Sequence, residues 1–253
     1  MARIIAIANQ KGGVGKTATT VNLGTALSRL GRRILIVDMD PQGNLTASFG
    51  VQDRIEKTMA DALLDRNMPM PTLLTEATLQ GCLELVPANA ELAAAESSLS
   101  NKLGREFRLR DVLAVAGERY DMILIDTPPS LGLLTVNSLV AATRVIVPTE
   151  ARFFSLQGLQ GLENTIADVQ YLNPNLRIMG ILLSKLDRRL KEEQTVSSYL
   201  REKWGELVFS TEIGTNSKIL EAASSGLAVG DVPGGAKAAE LYGELAQEVL
   251  ARD

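Results

Sequence analysis

The sequence predicts an α/β fold, a doubly wound and mostly parallel sheet with helices on both faces, in which residues 1–253 form a single domain. Short apolar runs rich in Val, Ile and Leu alternate with helical patterns along the chain, as they do where each strand is followed by a crossover helix. These runs lack polar alternation, so we expect strands that are buried on both faces. A glycine-rich loop also separates the first strand from the first helix. A chain of 253 residues suits one large domain of this class.

The predicted strands and helices alternate from the N-terminus onward. The first strand, residues 3–8, is followed by a helix over 17–30 that ends at Gly31, because glycine favours a helix C-terminus. Later strands are short β-branched runs, predicted at 33–37, 83–86, 122–125, 144–147, 178–183 and 208–211. Later helices show apolar residues at helical spacing and are predicted from Thr58, from Asn89, and at 106–118, 131–141, 156–171, 192–203 and 236–251.

Composition limits the chemistry that is open to this chain. Apolar residues make up 45% of the sequence and the net charge is −4, so any nucleic-acid binding must come from a local basic patch. The chain has no histidine and one cysteine, Cys82, which excludes Ser-His and Cys-His catalysis and an intrachain disulfide. Carboxylate, lysine and Mg²⁺ chemistry remain. The N-terminal apolar stretch, residues 4–8, is too short for a signal peptide or a membrane span, which predicts a cytoplasmic protein.

The glycine-rich loop over residues 9–17 predicts a phosphate site. Its glycines let backbone N–H groups face inward, and the N-terminus of the following helix adds partial positive charge. Lys16 can reach the outer phosphates, the Thr17 hydroxyl can bind Mg²⁺, and Lys11 is an additional lysine directly before two glycines. The predicted phosphate-binding residues are Gly12, Gly13, Val14, Gly15, Lys16, Thr17 and Ala18. The loop departs from the pattern G-x-x-x-x-G-K-S/T because Gln10 occupies its first position, and a glycine-rich turn without a ligand is the simplest alternative.

A dinucleotide site is a second interpretation of the same loop. Gly13, Gly15 and Ala18 satisfy G-x-G-x-x-A, and Asp38 ends the next strand, where a ribose-binding acid would stand. A dinucleotide-dependent oxidoreductase is therefore the alternative from a different functional class. Against it, the phosphate-capping Lys16 and two further aspartates along the chain would be left without a role.

Three aspartates at strand ends predict the metal and catalytic chemistry. Asp38 and Asp40 are two residues apart, so they point to one side of an extended chain. Asp126 ends a buried apolar strand, which suits a carboxylate that holds Mg²⁺ through water. The next residue is Thr127 and not glutamate, so the group that positions the attacking water must come from elsewhere, and we assign Asp40. The predicted metal-site residues are Thr17, Asp40 and Asp126, although each aspartate alone could be a helix cap or turn residue.

Four segments together resemble one family. K-G-G-V-G-K-T at 11–17, V-D-M-D-P-Q-G-N at 37–44, L-V-P-A-N at 85–89 and Y-D-M-I-L-I-D-T-P-P-S at 120–130 are similar to the ParA/MinD group of P-loop ATPases, which have a deviant Walker A loop. The likeness extends over nearly the whole chain and is greatest to ParA partition ATPases of the Soj kind. The combination of segments is far more specific than the glycine loop alone.

The resemblance implies that two subunits enclose two ATP–Mg²⁺ between them. Lys11 would cross the interface to the partner's phosphates and form the catalytic set with Lys16 and Asp40, in which Asp40 orients the attacking water. Asp126 would lie near Mg²⁺ through water. A cation that arrives only on dimerisation would stabilise the transition state and make ATP the link between the subunits. Hydrolysis would then remove the γ-phosphate contacts and let the dimer part.

Three positions depart from the family or from a related motif. The loop that contributes to DNA binding in the family has Thr215 at one basic position and Lys218 at the other. Arg152 stands where the family often has an acid. S-K-L-D at 184–187 is similar to a guanine-reading motif but lacks its amide side chain, so we expect ATP, with Asp187 beside the adenine as the family likeness implies.

The resemblance also implies partners and a location. They are a second copy with ATP, non-specific DNA on the nucleoid, and a ParB-like adaptor that stimulates slow hydrolysis. The predicted DNA contacts are Lys218, Arg188, Arg189 and Lys203, with a solvated surface of mixed charge as the alternative. A MinD-like membrane-associated ATPase is the alternative within the family and needs a basic amphipathic C-terminal helix. Here that helix is mainly acidic, and we expect its Leu241, Leu245 and Val249 to pack on the domain, without stable membrane association.

Overall fold

A computed structural model describes residues 2–65, 68, 75–76, 82–116, 118–152 and 155–252, and its centre is a sheet of eight strands. The strands are β1 (Arg3–Ile7), β2 (Ile34–Asp38), β3 (Thr75–Glu76), β4 (Leu83–Val86), β5 (Met122–Asp126), β6 (Arg144–Thr149), β7 (Arg177–Leu186) and β8 (Ile213–Gly214). Their order across the sheet is β3-β4-β2-β5-β1-β6-β7-β8. Within the described residues, β3 pairs antiparallel with β4 at one edge, and the other neighbouring pairs are parallel. The predicted doubly wound, mostly parallel fold is confirmed.

Helices cover both faces of the sheet. They are α1 (Lys16–Arg29), α2 (Asn44–Ala47), α3 (Met59–Leu64), α4 (Glu91–Leu99), α5 (Arg108–Ala114), α6 (Leu133–Ala141), α7 (Ser155–Val169), α8 (Lys191–Trp204), α9 (Ser217–Ser224) and α10 (Ala236–Ala251). Alternate residues of each strand face opposite layers, because successive side chains of a strand point to opposite sides. On β1, Ile5 and Ile7 pack in the layer that contains α1 and α10, whereas Ala6 packs in the layer that contains α7.

The strand order brings three strand ends together. β1 and β2 are joined through α1, yet β5 lies between them in the sheet. Their register pairs both Ile7 and Asp38 with Asp126. Because parallel strands end at the same edge, the loops that follow β1, β2 and β5 converge there. Ligands of open α/β sheets bind at this edge, where the direction of winding reverses.

Two predicted elements are wrong in their bounds. The last strand lies at Ile213–Gly214 and not at 208–211, where Val208 makes only a single bridge with Ile181. The reason is that the amide groups of Ser210 and Thr211 donate to the Glu248 carboxylate, which takes the place of a neighbouring strand. The helix predicted at 106–118 is shorter, with a 3₁₀ turn over Arg105–Phe107 followed by α5, which ends at Ala114. β3, α2 and α9 were not predicted, because segments this short carry little periodicity.

The C-terminal helix packs on the domain, as predicted. Leu245 and Val249 of α10 are fully buried, and Leu241 is partly buried against the same core. Across the described ranges, no helix has the length and apolar character needed to span a bilayer.

Candidate nucleotide and magnesium site

The glycine-rich loop between β1 and α1 forms an anion-binding turn. Gly13 and Gly15 have φ angles of 75° and 89°, which glycine adopts without the steric cost that a Cβ would bring. Gly15 is the residue that precedes α1, and no side chain caps the helix there. The first N–H groups of α1 are therefore available to a ligand, with the positive end of the helix dipole behind them.

Lys16 lies at the centre of this turn. It is 7% exposed, and its Nζ donates a long hydrogen bond of 3.4 Å to the backbone oxygen of Lys11. Burial lowers the pKa of Lys16, whereas the neighbouring carboxylates of Asp126 and Asp40 act in the opposite direction. A buried ammonium with one weak hydrogen bond suits a negatively charged ligand, because phosphate oxygens would supply the bonds that burial has removed.

Asp126 holds the hydroxyl groups of the first turn of α1. Its two carboxylate oxygens accept from Thr17 Oγ1 at 2.7 Å and from Thr20 Oγ1 at 3.3 Å. Burial, with the nearby Asp38 charge, raises the pKa of Asp126 to about 8. Because the Thr17 hydroxyl donates its hydrogen to Asp126, its oxygen lone pairs are left for a cation. No preformed cluster of three metal-binding side chains occurs in the described ranges, so Mg²⁺ would need phosphate oxygens and water as its other ligands.

Asp38 and Asp40 have different surroundings. Asp38 is fully buried and accepts three hydrogen bonds, from the amide of Asp40 and from both the amide and the hydroxyl of Thr46. Burial raises the pKa of Asp38 to about 6. Asp40 accepts one hydrogen bond, from the amide of Gln42, through a single carboxylate oxygen. Asp38 therefore holds the loop from β2 to α2 in place, whereas Asp40 keeps an oxygen that can act on a ligand or water.

We expect Asp38→Ala to destabilise the folded protein more than Asp40→Ala. Removal of the Asp38 carboxylate leaves three buried donors without an acceptor, which costs about 2–4 kcal/mol, whereas Asp40 anchors one partly exposed amide and its loss costs less than about 1 kcal/mol. Urea unfolding without nucleotide measures both free energies. Equal losses would contradict the assignment of Asp38 to the loop.

Lys11 is held within its own chain. Its Nζ lies 2.9 Å from Glu150 Oε2, just beyond the end of β6. Its amide donates to Asn9 Oδ1, and Asn9 Nδ2 in turn donates to the carbonyl of Pro148. The sequence did not predict Glu150, because no local motif marks it as a partner of a residue 139 positions earlier.

The segment 184–187 contacts the loop through Ser184, the residue that stands in place of the amide side chain of the guanine-reading motif. Ser184 Oγ donates to the carbonyls of Val14 at 2.7 Å and Thr149 at 3.2 Å, which ties the loop to β6 and β7. The Asp187 carboxylate is paired with the Arg189 guanidinium, which lowers the pKa of Asp187 to about 2. Its place beside adenine stays a prediction.

The residues predicted to contact DNA pair with neighbours in their own chain. Arg188 and Arg201 both bind Glu212, Lys218 Nζ lies 2.7 Å from Glu221, and Arg189 binds Asp187. Lys203 Nζ lies 4.2 Å from the centre of the Trp204 ring. The Arg188 and Arg189 side chains are themselves exposed, and Glu212, which is only 10% exposed, would keep Arg201 as its partner if Arg188 turned to a phosphate.

Comparisons with known proteins identify the family. A family model described as an AAA domain matches residues 2–178. The chain is 41% identical to the sporulation initiation inhibitor protein Soj of Bacillus subtilis over 257 residues, with 99% of each protein covered. It is 43% identical to the chromosome partitioning protein ParA of Myxococcus xanthus, covering 99% of this chain and 89% of ParA. This chain belongs to the ParA/Soj family of P-loop ATPases.

Solved structures of other proteins share the fold of this ParA/Soj-family chain. The cobyrinic acid a,c-diamide synthase of Mycobacterium smegmatis, solved with a bound ATP analogue and magnesium, matches with a TM-score of 0.84 and 36% identity over 99% of this chain and 95% of that one. The McdA(D38A)–ATP complex of Cyanothece matches with a TM-score of 0.86 at 21% identity, which shows the fold alone, over 100% and 97% of the two chains.

Family membership decides between the two interpretations of the glycine loop. The dinucleotide site is rejected, because the chain belongs to a P-loop ATPase family and the loop has the matching contacts. Lys16 is buried at the centre of the turn, and Thr17 is bonded to Asp126. Neither contact has a role in a dinucleotide fold, whereas both fit the phosphate and magnesium chemistry of P-loop enzymes.

Proposed function

We propose that this chain is an ATP-dependent switch of the ParA type that positions a plasmid, chromosome or protein cargo on DNA in the cytoplasm. It binds ATP and Mg²⁺, pairs with a second copy around the nucleotides, and binds DNA without sequence preference in that state. A ParB-like adaptor stimulates its slow hydrolysis. The observation that carries the proposal is the convergence of Lys16, Thr17, Asp40 and Asp126 at one edge of the sheet.

Each residue of this set has a role that follows from its contacts. The open N–H groups at the start of α1 and the Lys16 ammonium bind the phosphates. Thr17 and Asp126 would hold Mg²⁺, Thr17 by its oxygen and Asp126 by orienting that hydroxyl. Bound Mg²⁺ supplies charge neutralisation on the phosphates during transfer. Asp40, with a free carboxylate oxygen close to Lys16, orients the attacking water.

Dimerisation completes the site, because the second lysine comes from the other subunit. Lys11 reaches across to the partner's phosphates and adds positive charge where the transition state gains negative charge. ATP binding and dimerisation therefore support each other. When the γ-phosphate leaves, the contacts that hold the two subunits weaken and the dimer separates.

DNA binding depends on the dimer, because a single subunit offers too little positive charge. The protein is acidic overall, with a net charge of −4. Lys218 lies in the first turn of α9, shortly after β8, and Arg188 and Arg189 follow β7. All three therefore lie near the carboxyl edge of the sheet. A two-fold dimer joins two such patches into one longer basic surface.

We expect the ATP-bound protein to bind random-sequence duplex DNA far more tightly than the ADP-bound protein. Affinity should fall steeply with salt, because phosphate contacts release counterions. Each lost phosphate contact lowers the log–log salt slope by about 0.9, so Lys218→Ala lowers it by about 1.8 in the dimer. Fluorescence anisotropy across a salt series, in ATP and in ADP, measures this.

Arg33→Ala is the matched control for this experiment. It removes one positive charge at the amino-terminal edge of the sheet, just before β2, and should leave the slope unchanged. Equal affinity in both nucleotide states would remove the switch from the proposal. An absence of binding at low salt, combined with ATP-dependent binding to anionic lipid vesicles, would favour the MinD-like alternative.

A further inference from the structure

Four charged side chains form a chain of contacts beside the phosphate loop. Lys11 Nζ lies 2.9 Å from Glu150 Oε2, and Arg152 Nε lies 3.7 Å from the same Glu150 oxygen. Arg152 Nε also lies 3.6 Å from Glu193 Oε1. Glu150 therefore contacts two cations, Lys11 closely at 2.9 Å and Arg152 more loosely at 3.7 Å.

We infer that Glu150 is a positioning residue that retains Lys11 in its own subunit, and that Arg152 replaces Lys11 on Glu150 when Lys11 crosses to the partner. This inference rests on the proposed function, in which Lys11 acts across the dimer interface. It deepens that function, because it identifies the contact that must break before two subunits can close around ATP.

The exchange needs a movement of side chains only. The Lys11 backbone is anchored through Asn9, which bonds both the Lys11 amide and the Pro148 carbonyl of β6. Glu150 directly follows that strand, so the carboxylate and the backbone of Lys11 keep their separation. The Lys11 ammonium, on its four-carbon stem, can swing from Glu150 to a phosphate of a second subunit while the loop stays in place.

The surroundings of Glu150 explain why a replacement cation is needed. Its side chain is 13% exposed, so departure of Lys11 would leave a poorly hydrated carboxylate whose remaining cation, Arg152, lies 3.7 Å away unless it moves closer. The Arg152 side chain is 58% exposed and so is free to shift toward Glu150. Glu193 loses little by this shift, because its other oxygen keeps the 2.7 Å hydrogen bond from the amide of Asp187.

The size of the effect follows from the number of contacts that break. A partly exposed ion pair shifts an equilibrium by roughly two- to fivefold. Each dimer forms with release of two Lys11–Glu150 pairs, so the effect on the dimerisation constant is the square of that factor, roughly 4- to 25-fold.

The test compares dimerisation of the wild type and four variants with AMPPNP and Mg²⁺ by sedimentation velocity. Glu150→Gln should tighten the dimer by roughly 4- to 25-fold, because Lys11 starts free. Arg152→Gln should weaken it by a similar factor, because Glu150 then keeps Lys11. In the double variant, Arg152→Gln should have no effect beyond Glu150→Gln, since the carboxylate on which Arg152 acts is gone. Asp121→Asn is the control, as it removes one acidic charge at the opposite edge of the sheet.

A merely structural role predicts a different pattern. In that case both single variants would lower the melting temperature and weaken AMPPNP binding to the monomer, measured in a Lys11→Ala background. Glu150→Gln that dimerises no more tightly than the wild type, or an Arg152→Gln effect that persists in the double variant, would overturn the inference and leave the proposed function standing. A wild-type protein that stays monomeric with AMPPNP would overturn both.

Discussion

Lys16→Ala should abolish ATP binding, whereas Lys11→Ala should bind ATP and remain monomeric. Lys16 is the first residue of α1 and is buried against the loop of its own subunit, where we expect it to contact the phosphates. Truncation of one partner in a buried charge pair costs about 2–5 kcal/mol, which corresponds to a loss of affinity of roughly 30- to 4000-fold. Lys11, in contrast, is partly exposed, and its ammonium is bound to Glu150.

Isothermal titration with ATP and light scattering separate these two roles. The Lys16→Ala protein should keep its circular dichroism spectrum, because the Lys16 ammonium makes one long hydrogen bond to the part of the chain that the structure describes. Arg33→Ala serves as the charge-matched control and should retain both affinity and dimerisation. A Lys11→Ala protein that dimerises normally would show that Lys11 does not act across the interface, whatever its effect on hydrolysis.

Asp40→Ala should retain ATP and accumulate as a stable dimer with almost no turnover. The Asp40 carboxylate has one oxygen bonded to the amide of Gln42 and sits close to Lys16, so it can orient water without holding the nucleotide. Loss of a group that takes part in proton transfer or water orientation reduces the rate by about 10²- to 10⁴-fold. Single-turnover hydrolysis and size-exclusion chromatography in ATP measure both properties.

Asp126→Ala should fail in a different way. Without the carboxylate, the Thr17 hydroxyl loses its acceptor and its oxygen is no longer oriented toward a cation, whereas the Thr20 hydroxyl still has the Lys16 carbonyl. Loss of such a supporting contact lowers metal affinity by about 10- to 100-fold. ATP binding should therefore require more Mg²⁺ in this variant than in the wild type or in Asp40→Ala. Normal turnover in Asp40→Ala would exclude it as the water-orienting residue and direct attention to Asp38.

Local sequence was sufficient to predict most strands and helices and the phosphate loop. Short apolar runs predicted β1, β2 and the strands from β4 to β7, since burial on both faces demands apolar residues at every position. Gly13 and Gly15 predicted the turn, because glycine adopts the left-handed φ angles that the turn requires without steric cost. The family followed from four short segments, each of which carries its own spacing of glycine, lysine and aspartate.

Prediction from short-range spacing was wrong where a side chain from a distant part of the chain accepts hydrogen bonds that a neighbouring strand would otherwise accept. The predicted strand at 208–211 is absent because Glu248 of α10 accepts the amide groups of Ser210 and Thr211. Nothing within that segment indicates a carboxylate 37 residues further along. The bounds of the last strand were therefore decided by the packing of α10.

The sequence by itself determined the fold class, the phosphate loop and the family, because these depend on residue type and on spacing within a few turns of chain. Only the tertiary structure distinguished Asp38, which is bonded to Thr46 and the Asp40 amide, from Asp40, which has an oxygen free. It also placed Lys11 on Glu150, 139 positions away. The strand order decides such contacts, since it sets which strand ends meet at the edge of the sheet, and side-chain roles there depend on neighbours that no local pattern contains.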